Sequence, residues 1–93
     1  MNVDKAKKRI AKQVKKGDKG YPKITLAYFG QSADIATEVV ISFIEAEGAE
    51  PQSQKFVCES DVREDETIQS VLVKIMERAD ANTVSEVAGT ALL

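Results

Sequence analysis

Six lysines near the start of the chain, Lys5, Lys8, Lys12, Lys15, Lys16 and Lys19, recur at helical spacing. On a helix that spacing lines up ammonium groups along one side. Such a comb attracts acidic protein surfaces or polyanions through point charges and reads no base sequence. The charge distribution sharpens the question. Residues 1–23 carry nine basic side chains and two acidic ones, a balance of +7. The remainder carries four basic and thirteen acidic side chains, a balance of −9, so the net charge of −2 conceals a division. An asymmetry of this size suggests either a polyanion-binding arm or internal complementarity.

Other chemistry-bearing residues are fewer. The stretch ESDVREDE holds Glu59, Asp61, Glu64, Asp65 and Glu66. Paired carboxylates there could serve acid–base work or hold Mg²⁺ or Ca²⁺. The stretch lacks the alternation and glycine turn of a calcium loop, and capping of the helix that follows accounts for it. The chain has no histidine, which removes the commonest general base and most transition-metal sites. Cys58 stands alone, with Lys55 its one basic neighbour in sequence, and reads as a small hydrophobe. Gly17, Gly20 and Gly30 fit no phosphate-loop pattern. Tyr21, Tyr28 and Phe29 lie near lysines, as base-stacking aromatics do. Tyr28 and Phe29 would face opposite sides of one strand, so core packing is the expected role. The sequence thus calls for no cofactor, no metal ligand and no catalytic residue.

These side chains must be held by a small body. Ninety-three residues with 43% hydrophobic and 30% charged content predict one globular domain. A single cysteine excludes an internal disulfide. The first residues lack the apolar core of a secretory signal, and no apolar run approaches the ~20 residues of a membrane span. The Lys-rich, Ser-free start is also a poor match to a mitochondrial presequence. A cytoplasmic location is the expectation.

The elements follow from periodicity. Val3, Ala6, Ile10 and Val14 form a narrow apolar stripe opposite the lysines, predicting a helix over 3–16 that stops at Gly17. Its thin stripe and its like-charged neighbours predict an arm that the rest of the fold can do without. Gly17 to Pro22 reads as loop, and 23–29 as an alternating strand. Residues 33–47 are ambiguous. Ile35, Ala36, Val39, Val40, Phe43 and Ile44 fit a helix, yet the density of β-branched residues favours a strand near 38–44. QKFVCE reads as the next strand. Ile68, Val71, Leu72, Ile75, Met76 and Ala79 then mark an amphipathic helix, with Asn82 as its punctuation and a short strand over 83–87.

The expected fold is α+β: an N-terminal helix and a mixed or antiparallel sheet of about four strands on one amphipathic helix, in the order α-β-β-β-α-β. A helical 33–47 would make it α-β-α-β-α-β. The lysine-rich segment spans 1–20, the core 23–88 and a tail 89–93. The functional expectation is a non-enzymatic accessory or protein-interaction module. Its partner would be an acidic protein or a second copy, and no membrane is involved. One alternative is nucleic-acid or other polyanion binding through the lysine face, which the −9 remainder disfavours. Another is a carboxylate-dependent enzyme or divalent-metal site near 59–66.

Overall fold

A computed structural model of the chain describes residues 2–87 and 89–92. The elements are α1 (Val3–Lys15), β1 (Lys23–Gly30), β2 (Glu38–Ile44), β3 (Gln52–Val57), α2 (Glu66–Ala79), β4 (Thr83–Glu86) and β5 (Ala91–Leu92). A short 3₁₀ turn, Val62–Glu64, leads into α2. The α+β class and the order α-β-β-β-α-β are as the sequence predicts, and the ambiguous stretch is the strand β2. Beyond that order lies β5, a two-residue pairing. Leu93 of the predicted tail and Ala88 at the end of the predicted core lie outside the described residues.

The sheet runs β3-β2-β1-β4. β1 and β2 pair antiparallel, as do β2 and β3. β4 lies parallel to β1, with Ile24 beside Val84, and β5 continues that side with Phe29 beside Ala91. β3 and β4 therefore sit at opposite edges, and α2 carries the chain between them. Alternation decides which side is covered. Ile24, Leu26 and Tyr28 of β1 and Val39 and Ile41 of β2 are buried beneath the helices. The other side carries a polar row of Ser53, Ser42 and Thr25 beside Ser85 across four strands, together with the apolar side chains of Phe29, Val40, Ile44 and Val57.

Both helices have defined ends. The Asn2 side chain accepts from Lys5 N at 2.9 Å to cap α1, and Gly17 at φ +72° terminates it. Asp65 caps α2 by accepting from Ile68 N at 2.9 Å. The stop of α2 is Asp80 at φ +49° rather than Asn82. Asn82 instead donates from Nδ2 to Tyr21 O at 2.7 Å and fixes the loop before β1.

α1 is part of the core. Ala6 is fully buried and Ile10 is 3% exposed, with Val14 packed at their edge. α1 packs against both α2 and β4. This contact turns α2 relative to its sequence stripe. Gln69 and Val73 are buried, whereas Val71, Ile75 and Ala79 stay partly exposed. Gln69 is tolerated because its Nε2 donates to Val62 O at 3.0 Å.

Gly30 has a role beyond ending β1. A Cβ there would lie 2.0 Å from the Ile35 carbonyl oxygen, so the loop after β1 crosses a position that only glycine leaves open. That loop then joins three elements: Thr37 N donates to Phe29 O, Val62 N to Ala36 O and Cys58 N to Thr37 O. Gly30→Ala must displace backbone, and we expect it to cost about 1–3 kcal/mol. Leu72→Ala, at a fully buried position, should cost about 2–5 kcal/mol. Urea denaturation of both variants measures these losses, and a midpoint unchanged by either would contradict the packing described.

Candidate interaction surface: the lysine face of the first helix

The stripe of Ala6, Ile10 and Val14 faces inward, so helical geometry turns Lys5, Lys8, Lys12 and Lys15 outward. All four are exposed, as are Lys16 at the helix end and Lys19 in the loop beyond. Among the described residues none of these six ammonium groups has an ion-pair partner. The helix does carry ion pairs, but at its flanks. Lys7 pairs with Glu64 ahead of α2, and Arg9 pairs with Glu77 in the last turn of α2 at 3.0 Å. Among the described residues the acidic half of the chain thus pairs with the basic helix at two points and leaves the comb without ion pairs.

The six lysines are not equivalent in place. Lys12 and Lys16 overlook a groove of about 420 Å³ between α1, the end of α2 and β4. Val73, Met76 and Val84 contribute its apolar lining, and Glu77 and Asp80 its acidic wall. Lys5, Lys8 and Lys15 lie elsewhere on the exposed surface of the helix. Lys19 is positioned by a separate hydrogen-bond network. Its backbone N donates to Thr83 Oγ1 at 2.7 Å, and the Thr83 hydroxyl lies 2.8 Å from Gly20 O. Asp18 Oδ1 accepts from Gly20 N at 2.9 Å, and Asp18 Oδ2 pairs with Lys23 Nζ at 3.1 Å. The comb therefore ends on a pinned loop.

Of the acidic candidates, three have structural partners, while Glu59 and Glu66 are exposed. Asp61 Oδ1 accepts from Arg63 N at 2.9 Å, Asp65 caps α2 and Glu64 pairs with Lys7. Among the described residues no group of three or more His, Cys, Asp or Glu side chains is arranged to hold a metal ion. The Cys58 thiol donates to Ser60 O at 3.0 Å. The aromatics do not assemble into a platform. Tyr28 is 4% exposed beneath the Arg63 guanidinium, which lies 4.6 Å from its ring centre. Burial pushes the Tyr28 hydroxyl pKa up. Tyr21 lies beneath Lys23 Nζ at 4.7 Å.

Two functional-scale features escape sequence reasoning. Arg63 ties the last strand to the body, donating to Gly89 O at 3.0 Å and to Thr90 Oγ1 at 2.6 Å. A second groove, of about 320 Å³, lies between α2 and the β2–β3 side of the sheet. Ile75 and Ala79 of α2 line it, and its signal in sequence is an apolar stripe broader than the domain buries.

The chain matches no protein-family model, no curated protein and no solved structure. Among the described residues no helix is long and apolar enough to cross a membrane.

The pinned loop makes a pH prediction. The Gly20 N–H and then the Lys23 ammonium hold the Asp18 carboxyl below the ordinary carboxylate range, and Asp18 holds Lys23 above the ordinary lysine range. A carboxyl with a lowered folded-state pKa stabilises the fold above its unfolded pKa, and that contribution fades as pH falls through the lowered value. The Gly20 amide resonance should therefore titrate with a midpoint below ~3.9, the ordinary aspartate value. A midpoint at or above that value would rule out the Asp18 contacts.

Proposed function

We propose that this protein is a non-enzymatic cytoplasmic binding module whose α1 comb docks on an acidic surface of a partner protein. The observation that carries the reading is the contrast along one helix. Lys7 and Arg9 have acidic partners within the chain, whereas Lys5, Lys8, Lys12, Lys15, Lys16 and Lys19 have none among the described residues. An exposed pair contributes only ~0–1 kcal/mol, so the comb adds little to the stability of the domain itself. Six unneutralised cations instead cost self-repulsion, which an acidic partner relieves.

Rigidity supports the same reading. The comb rides on a helix with Ala6 and Ile10 buried, so its charges are held in place before a partner arrives. Fixed charges lose less entropy on docking than charges on a loose arm. The mixed groove under Lys12 and Lys16 adds shape to charge, which favours a protein surface over a uniform polyanion. The engaged carboxylates Asp61, Glu64 and Asp65 weaken the case for chemistry at 59–66.

Replacing Lys8, Lys12 and Lys15 with Gln tests this reading, since these side chains are exposed and the fold should persist. The native chain should retain a protein at fixed stoichiometry from a native extract, released by salt and lost in the triple variant. On duplex DNA the native chain should bind more weakly than micromolar at physiological salt. Neutralisation of duplex phosphates by all six lysines would give a log–log salt slope of about −5. Nuclease-sensitive retention, or micromolar DNA binding lost in the triple variant, would replace the protein partner with nucleic acid.

A further inference from the structure

The second groove lies on the side of α2 that α1 does not cover. Ile41 and Phe43 of β2 and Ile75 and Ala79 of α2 give it an apolar lining, and Gln52, Gln54 and Arg78 bring polar groups. Beside it runs β3, an edge strand of the sheet. In an antiparallel pair alternate residues turn their N–H and C=O groups away from the neighbouring strand. Along β3 those groups face outward, so an incoming backbone can pair with them.

Exposed edges of this kind are ordinarily blunted by proline, by charged side chains, Lys above all, by a bulge or by brevity. β3 runs six residues, Gln-Ser-Gln-Lys-Phe-Val, in unbroken register with β2 from Phe43–Gln52 to Glu38–Val57. It holds no proline and one charge, Lys55, which projects to the side away from the groove with Val40. The opposite edge is different: β4 spans only four residues, and a break separates it from β5. The chain thus leaves one long, lightly charged edge open beside a part-apolar groove.

The geometry points to β3 as an acceptor edge for an extended segment of a partner protein, which adds as a strand and sets apolar side chains into the groove beside α2. Side chains at i and i+2 of such a strand share a face and match the spacing of Gln52 and Gln54. The groove volume suits two aliphatic side chains. Charge then selects the segment. Arg78 is exposed and has no ion-pair partner among the described residues, and Lys74 lies one turn earlier on that side of α2. An acidic side chain or a terminal carboxylate on the peptide would meet them. A second copy of the chain is a poorer occupant. Two β3 strands paired about a two-fold axis would bring two Lys74–Arg78 rims toward one another, like charge against like.

The probe is a set of short alternating peptides, Thr alternating with Val, Leu, Ile or Phe and ending in Asp with a free carboxylate. Titration into isotopically labelled protein should shift the amides of Gln52–Val57 together with those of Ile75 and Arg78. Methylating the peptide's backbone nitrogens on the pairing side should abolish the shifts, because strand addition needs those donors. Arg78→Glu should weaken binding about fivefold or more. A peptide ending in Lys-amide should restore binding to that variant. Failure of every member to move β3 at millimolar concentration would overturn the inference. So would β3 shifts that track protein concentration without peptide, which would make the edge a self-association surface. Binding unaffected by methylation would likewise exclude strand addition.

Discussion

The surface of this protein depends on where α1 is buried. The helix has one narrow apolar stripe, and Ala6 and Ile10 of that stripe are buried against α2 and β4. Ala6 matters because a small side chain lets two helices approach closely. With those two positions fixed, Lys5, Lys8, Lys12 and Lys15 are turned outward. The rotation of α2 follows from the same contact: Gln69 and Val73 go under, while Val71 and Ile75 remain partly exposed. The lysine face and the open groove are two consequences of one packing choice.

Electrostatics reinforces this arrangement without creating it. The ion pairs Lys7–Glu64 and Arg9–Glu77 tie α1 to either end of α2, but all four side chains are well exposed. Exposed pairs of this kind contribute little next to a buried isoleucine. Their effect is on distribution. They couple two acidic side chains of the −9 remainder to the flanks of the helix and leave the comb unpaired. The internal complementarity that the charge asymmetry suggests is therefore present in part, at two ion pairs among the described residues.

Much of the architecture is legible in local pattern. The alternation in β1, the β-branched density over 38–44 and the capped stripe of α2 each report a local preference that the fold obeys. What was not legible depends on contacts between distant segments. The sequence reads Val71 and Ile75 as core and passes over Gln69, because the stripe alone does not say which neighbour α2 will meet. It reads Gly30 as a strand end, because the Ile35 carbonyl that excludes a Cβ there belongs to a returning loop. The thin stripe of α1 suggests a dispensable arm, since counting apolar residues does not show that Ala6 and Ile10 are buried almost completely. The lysine face itself is visible in spacing, which takes in Lys8 and leaves out Lys7. Only the fold shows that Lys7 reaches Glu64.

Amide hydrogen exchange tests the burial of α1 most directly. If Ala6 and Ile10 anchor the helix, the amides near Ile10 should open only with the domain and match the protection near Leu72 of α2. Both helices should then lose protection together as urea is added. Exchange over residues 3–15 at rates close to those of an unstructured peptide, with 66–79 still protected, would contradict the account. The lysines would then belong to a mobile arm, and neither the fixed comb nor the turned α2 would have its cause.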